Sequence, residues 1–288
     1  MQTIIIDGKK VSEIVKADLK ERVAKLAGGC GLATILAGED PASKVYIKWK
    51  IKACQELGVY SEHYDLPASV SQDELLALVE KLNKDIKIHG ILVQLPLPKG
   101  IEASRVIETI APAKDVDCFH PVNLGRFFAA KTLEEMNRLD FLPCTPSGVM
   151  ELLKYYKINP AGKKAVVLGR SNIVGKPLSM MLMAENATVS VCHSKTPDLA
   201  GYTAAADIVV AAIGKPGFLK EGHVKNGAVV IDVGTNRTES GLKGDADFDG
   251  VKNKASFITP VPGGVGPMTI AMLMKNTVRA AASGKRIL

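Results

Sequence analysis

Apolar positions in the first third of the chain alternate between two spacings. Val11, Ile14, Val15, Leu19, Val23 and Leu26 recur three and four residues apart, which predicts an amphipathic helix over residues 9–27, ended by Gly28-Gly29. Residues 32–37 form a short continuous apolar run, a buried strand broken by Gly38-Glu39-Asp40-Pro41. Ser43 stands where it would cap the next helix, which runs to Leu57 and stops at Gly58. A strand over 59–66 follows. The capping box Ser71-Gln72-Asp73-Glu74 then opens a helix with Leu75, Leu76, Leu78, Val79 and Leu82 turned inward. Residues 88–94 read as a buried parallel strand ending in the polar amide of Gln94, because Leu95-Pro96-Leu97-Pro98 cannot continue a central strand. His89, inside that strand, reads as a satisfied core histidine.

The second half carries four further strand-like runs, 165–169, 188–192, 207–213 and 228–233, separated as in a right-handed parallel βαβ series. The pattern predicts an α/β chain of two domains. Residues 1–142 with the closing helix 268–288 form an N-terminal α/β substrate domain; residues 143–267 form a Rossmann-like, doubly wound parallel-sheet domain, with a cleft between the two. Residues 143–148 read as the hinge and 149–156 as the linking helix. Residues 126–141 and 241–250 read as surface excursions.

Each strand of the second half ends in candidate ligand residues, where open α/β sheets bind ligands. The first end is Gly169-Arg170-Ser171-Asn172, with Gly175 at a helix start that offers free N–H groups to phosphate. The glycines do not spell G-x-G-x-x-G. The second end reads Cys192-His193-Ser194-Lys195, the third Gly214-Lys215-Pro216, and the fourth Asp232-Val233-Gly234-Thr235. An NAD site would place an acid near the second end to bond the ribose hydroxyls. Ser194 and Lys195, with Arg170 on the neighbouring loop, suit a 2′-phosphate instead, so NADP is the expected cofactor.

Composition narrows the class. At 288 residues, 47% hydrophobic and a mean hydropathy of +0.11, the chain has the profile of a globular protein able to bury a core. No stretch approaches the roughly 20 consecutive apolar residues of a membrane span, and the N-terminus does not read as a signal peptide, so no membrane partner is expected. Five scattered cysteines without a C-x-x-C pair suit reduced thiols in a cytoplasm and no bound metal. The net charge of +7 is diffuse, with no basic run and 5% aromatics, which favours small anions over nucleic acid as partners.

One side chain is out of phase. In the helix ending at Leu57, Tyr46, Trp49, Ala53 and Leu57 share a stripe, with Lys44, Lys48 and Lys52 opposite, yet Lys50 projects from within the stripe. Two readings stand: a lysine snorkelling at the margin, or one held in a partly desolvated cleft, its pKa lowered, able to move protons near neutral pH. The loop Asp115–Pro121 carries two acids and a histidine, which reads as solvated or capping rather than metal-binding. Near the end, Thr259-Pro260-Val261-Pro262-Gly263-Gly264-Val265-Gly266-Pro267-Met268-Thr269 crowds prolines and glycines at a strand-to-helix junction. A stiff turn accounts for the prolines, but Gly263-Gly264 implies a close approach to the backbone.

Together these stretches resemble the bifunctional methylenetetrahydrofolate dehydrogenase/methenyltetrahydrofolate cyclohydrolase family. The matching segments are 38–58 with Tyr46-x-x-x-Lys50, 90–98 with Gln94, 114–120 with Asp117, 169–177 and 259–269, nearly the whole chain in the family's order. The resemblance implies oxidation of 5,10-methylenetetrahydrofolate with NADP⁺ and hydrolysis of the product to 10-formyltetrahydrofolate. It implies Lys50 as the catalytic lysine of hydrolysis, Tyr46 packed on the folate, Gln94 tuning Lys50, and Asp117 holding the pterin. Gly263, Gly264 and Thr269 would line the substrate pocket, and Arg170 and Ser194 would contact the 2′-phosphate, with Gly169, Ser171, Gly214 and Thr235 on the cofactor loops. It implies a homodimer through the cofactor domains, and the positive charge suits polyglutamylated folates. The length leaves no room for the synthetase domain of larger relatives. Two positions depart from the pattern: Cys118 stands where glycine is usual, and Thr235 where isoleucine is common. A dehydrogenase for a small hydroxy or amino acid would leave Tyr46, Lys50 and the 259–269 turn without a shared purpose. A basic nucleic-acid-binding or scaffold protein would have no use for the cofactor loops.

Overall fold

A computed structural model describes residues 2–239 and 241–284. In chain order the elements are β1 (Ile4–Ile5), α1 (Gly8–Ala24), β2 (Gly31–Ala37), α2 (Pro41–Leu57), β3 (Tyr60–Leu66), α3 (Gln72–Lys84), β4 (Gly90–Val93), α4 (Ala103–Thr109), α5 (Pro121–Ala129), α6 (Leu133–Asn137) and α7 (Cys144–Tyr155). There follow β5 (Lys164–Leu168), α8 (Gly175–Ala184), β6 (Thr188–Cys192), α9 (Leu199–Ala204), β7 (Ile208–Ala211), β8 (Val229–Asp232), β9 (Asn236–Thr238), β10 (Gly241–Lys243), α10 (Phe248–Lys252), β11 (Phe257–Ile258) and α11 (Val265–Ser283).

The chain divides into two compact units. The first holds Ile14–Ala129, Asn137–Cys144 and the described residues from Ile270 onward. Its sheet is parallel, in the order β3-β2-β4, with Leu32 opposite Gly90 and Ser61. All seven residues of β2 are buried, as a central parallel strand requires, and Ala33, Ile35, Leu75, Val79, Ile91 and Val106 form its core.

The second unit holds the residues up to Glu13, Ala130–Met136 and Thr145–Thr269. Its sheet runs β1-β11-β8-β7-β5-β6, every pairing parallel. The chain winds outward from β5 to β6 and then returns to lay β7 on the other side of β5. The topological switch point therefore falls between β5 and β7, and ligands of open α/β sheets bind outside the strand ends there.

Several expectations from the sequence change. The residues up to Glu13 lie with the larger sheet, because Ile4 and Ile5 add a parallel edge strand to β11. Asp40, not Ser43, caps α2: its carboxylate accepts from the Ser43 amide at 2.7 Å, with Pro41 inside the first turn. The 126–141 stretch is no surface excursion, since Phe127, Met136 and Phe141 are buried. The 241–250 connection likewise contains the fully buried Asp245. The last four positions of the 268–288 segment lie outside the described residues.

Candidate active site

Lys50 lies on the buried face of α2, together with Ser43, Ile47, Ala53, Cys54 and Leu57. Trp49 is 41% exposed, so the buried stripe is centred one position away from the one the periodicity suggests. Lys50 is at its middle, 8% exposed, and is not a marginal snorkelling side chain. Its Nζ donates to Gln94 Oε1 at 2.8 Å. Gln94 follows β4, where its amide continues the ladder to the Ile35 carbonyl. Its Nε2 donates to the Leu95 carbonyl at 2.8 Å, which fixes the amide with its oxygen toward the lysine.

Asp117 enters from the loop after α4. A parallel bridge between Ile91 and Asp115 lays that loop beside β4. Asp115 is structural: buried, its carboxylate accepts from the amides of Phe119 and His120 and from Asn123 Nδ2, all within 3.0 Å. Asp117 is coupled electrostatically to Lys50. Burial lowers the Lys50 pKa, while Asp117 and Cys144 oppose that shift. Burial raises the Asp117 pKa, which Lys50 pulls back down and Asp115 raises further. Tyr46, one turn before Lys50, is partly buried and meets Trp49 edge-on, with centroids 5.4 Å apart.

Three residues hold this loop, and the sequence singled out only one of them, Cys118. Asn276 of α11, 3% exposed, donates from Nδ2 to the carbonyls of Val116 and Leu142, each at 2.8 Å. Cys144 Sγ also donates to the Val116 carbonyl, at 3.3 Å, and Cys118 Sγ to that of Phe141, at 3.6 Å. The peptide preceding Asp117 is thus anchored twice. The available signal was an asparagine within the apolar run of the closing helix, the same type of phase error that marks Lys50. Cys118 adopts φ +60°, the left-handed conformation that its replacement of glycine put in question.

In the second unit, Arg170, Ser171, Ser194, Gly214 and Thr235 are all exposed, each in a loop beyond the carboxyl end of β5, β6, β7 or β8. At the switch point Gly169 has φ +117°, and a Cβ there would stand 2.2 Å from the Ala212 carbonyl oxygen. Only glycine lets the two loops meet this closely. Ser171 Oγ accepts from the Val174 and Gly175 amides at the start of α8. The exposed guanidinium, the hydroxyls and the absence of an acid at 193–195 fit a phosphorylated ribose. Gly263, Gly264 and Thr269 belong to this unit. Gly263 has φ +105°, and Thr269 Oγ1 lies 3.0 Å from Thr145 Oγ1.

Residues 6–117 match the family described as tetrahydrofolate dehydrogenase/cyclohydrolase, catalytic domain, and residues 143–285 its NAD(P)-binding domain. The chain belongs to the tetrahydrofolate dehydrogenase/cyclohydrolase family. It is 56% identical over 285 residues to the bifunctional protein FolD of Moorella thermoacetica, covering 98% of this chain and 99% of that one. Its fold is similar to that of the bifunctional FolD methylenetetrahydrofolate dehydrogenase/cyclohydrolase of Campylobacter jejuni, with a TM-score of 0.92 at 50% identity and coverage of 98% and 99%. It is similar also to the Trypanosoma brucei N5,N10-methylenetetrahydrofolate dehydrogenase-cyclohydrolase, solved with NADP cofactor and inhibitor, with a TM-score of 0.93 at 40% identity over the whole of both chains. Both halves of the tetrahydrofolate dehydrogenase/cyclohydrolase architecture are therefore present in one chain.

Proposed function

We infer that this protein oxidises 5,10-methylenetetrahydrofolate to the 5,10-methenyl form with NADP⁺ and hydrolyses that product to 10-formyltetrahydrofolate. The observation that carries the reading is the buried Lys50, hydrogen-bonded to Gln94 beside Asp117, in a chain of this family.

Bound NADP⁺ supplies the hydride acceptor. Gly169, Arg170, Ser171, Ser194, Gly214 and Thr235 would hold it, with Arg170 and Ser194 on the 2′-phosphate. Hydride transfer from the methylene carbon needs no protein acid or base, so the chain's part in that step is alignment. Hydrolysis does need proton movement. Water adds to the methenyl carbon and forms the new C–O bond as Lys50 takes a proton from it. The bond from that carbon to N5 then breaks, and Lys50 returns the proton to the departing nitrogen. The substrate's positive charge leaves as one proton released to solvent. Burial favours the neutral amine that this requires, and Gln94 Oε1 orients it. Asp117 accepts from the amino and ring N–H groups of the pterin, Tyr46 packs on its ring system, and Gly263, Gly264 and Thr269 are further folate-binding residues.

The same reading includes a homodimer through the NADP domains, supported by β6, which is an edge strand among the described residues, with Val191 39% exposed. It includes tighter binding of polyglutamylated folates, supported by the net charge of +7, and a cytoplasmic location, supported by five free cysteines. Among the described residues no helix is long and apolar enough to cross a membrane. Sedimentation tests the dimer, and comparison of mono- and polyglutamate affinities tests the second point.

The deciding assay is an absorbance time course with 5,10-methylenetetrahydrofolate and NADP⁺ or NAD⁺, repeated with methenyltetrahydrofolate alone. NADP⁺ reduction together with methenyl decay above the buffer rate is expected. No turnover in either assay would overturn the reading.

A further inference from the structure

One fully engaged carboxylate in the second unit has no part in the chemistry above. Asp245, between β10 and α10, is 0% exposed. Its Oδ2 accepts from the amides of Ile213 at 2.6 Å and Gly214 at 2.9 Å. Its Oδ1 accepts from the Lys215 amide at 2.9 Å and from Asn236 Nδ2 at 2.8 Å. Three consecutive backbone donors in the loop after β7 therefore converge on one side chain.

A second acid holds the first in place. Asp232, the last residue of β8, accepts from the amides of Gly234 and Asp245 through Oδ1 and from that of Ala246 through Oδ2, at 2.8–2.9 Å. Its own amide donates to Thr259 Oγ1 at 2.6 Å, beside the 259–264 turn. The two carboxylates form a ladder from the end of β8, through residues 245 and 246, to the loop after β7. A Cβ at Gly234 would come within 2.3 Å of Asp245 Oδ1, so no other residue fits beside the ladder.

Two consequences follow. Successive N–H groups that point into one concavity form an anion-binding nest. Here an internal carboxylate already fills it, and Ser171 already accepts from the first amides of α8, so phosphate must find its donors elsewhere, at Arg170 and Ser194. The outward side of the same loop is left open: Gly214 has φ +68°, and a Cβ there would meet no atom within 4 Å. This loop also borders the switch point, where Gly169 approaches Ala212. Burying two like charges side by side is unfavourable, and the amides of residues 213–215, 234, 245 and 246 that converge on the two carboxylates offset that cost. What the carboxylate provides is a single fixed course for the backbone of 213–215.

We propose that Asp245 is a positioning residue for the nicotinamide cofactor, setting the 213–215 loop in the conformation that binds NADP. The proposal rests on the NADP reading above. The test is Asp245→Asn, with the NADP⁺ dissociation constant, the KM for NADP⁺ and for methylenetetrahydrofolate, and hydrolysis of methenyltetrahydrofolate without nucleotide all measured on the full chain. An asparagine amide nitrogen faces two donors in either orientation and breaks two bonds. NADP⁺ binding is expected to weaken about 10- to 100-fold as the loop loses its charge-assisted bonds. Hydrolysis and the folate KM are expected to stay within about twofold, since Lys50 and Asp245 share no partners. A folded Asp245→Asn that binds NADP⁺ as the parent does would overturn the proposal. So would an equal loss of hydrolysis and cofactor binding in a folded variant. Should that variant fail to fold, Asn236→Ala removes one donor from the same carboxylate: a smaller weakening of NADP⁺ binding is expected, and no change would overturn the proposal. Failure of the parent chain itself to bind NADP⁺ would defeat the NADP reading, and this inference with it.

Discussion

Replacing Lys50 by methionine separates the two reactions. Methionine keeps most of the buried aliphatic stem, so the α2 packing around Ile47, Ala53 and Cys54 stays filled. What disappears is the donor 2.8 Å from Gln94 Oε1, the group assigned to move the proton. Loss of a positioned acid–base group costs about 10²- to 10⁴-fold in rate, or roughly 2.7–5.4 kcal/mol at 1.36 kcal/mol per decade. The stability terms oppose one another. Gln94 Oε1 is left unpaired, at about 1–3 kcal/mol, but a buried amine that resists protonation is gone as well. Hydride transfer, which depends on alignment, is expected to stay within about tenfold. The assay pairs NADP⁺ reduction with decay of methenyltetrahydrofolate in the same preparation. Lys50→Arg is the control: it keeps a cation beside Asp117 but never deprotonates, so hydrolysis should fall there too. In the parent, hydrolysis should rise with pH through an ionisation below the ordinary lysine range, because burial favours the neutral amine. A methionine variant that hydrolyses at the parental rate would refute the assignment.

Cys118→Gly relieves a left-handed backbone worth about 1–2 kcal/mol, against a lost buried thiol and about 0.5–1 kcal/mol of extra unfolded-state freedom; denaturant titration should find it within about 1 kcal/mol of the parent. Cys118→Val, β-branched at φ +60°, should lose at least about 2 kcal/mol in the same titration. The Asp232 carboxyl is pushed up to about 6, from 3.8, by burial and by Asp245, against the pull of three amide donors. Its contribution to stability is therefore full below the unfolded value and lost as pH rises through the folded one. The stability advantage of the parent over Asp232→Asn should shrink by about 2–3 kcal/mol between about pH 4 and pH 7, read from urea midpoints, and a constant difference would count against it. Trp49 is the sole tryptophan and touches Tyr46 edge-on, so saturating folate should change the intrinsic emission, an effect lost in Trp49→Phe. Unchanged emission would separate Tyr46 from the substrate.

Much of the architecture was present in local pattern. Strand β6 coincides with its apolar run, and the Ser71 capping box forms as its spacing demands, because both depend on neighbours within a few residues. Lys50 was legible for the same reason: a charge in an apolar stripe is visible from periodicity alone, although Ile47 and Cys54, rather than Trp49, flank it in the buried face. The glycine-rich end of β5 was legible as a turn, but why Gly169 must be glycine was not, since the atom it would strike is the Ala212 carbonyl, 43 residues on.

Where a motif's partners lie far along the chain, only the tertiary structure could decide. The 241–250 stretch looks polar and surface-bound because Asp245 is charged, yet it is fully buried, its four donors supplied by residues 213–215 and 236. Asn276 has no role that spacing reveals: its two acceptors, Val116 and Leu142, are brought to it from more than 130 residues away. Ile4 and Ile5 carry no mark of which sheet they join, because the pairing is settled by the free edge of β11. Sequence by itself determined which segments are helix or strand and which side chains are chemically out of place, since both are properties of spacing. Which buried polar group satisfies which other one was settled only by the fold, because a carboxylate or an amide accepts any donor brought to it and holds no record of which.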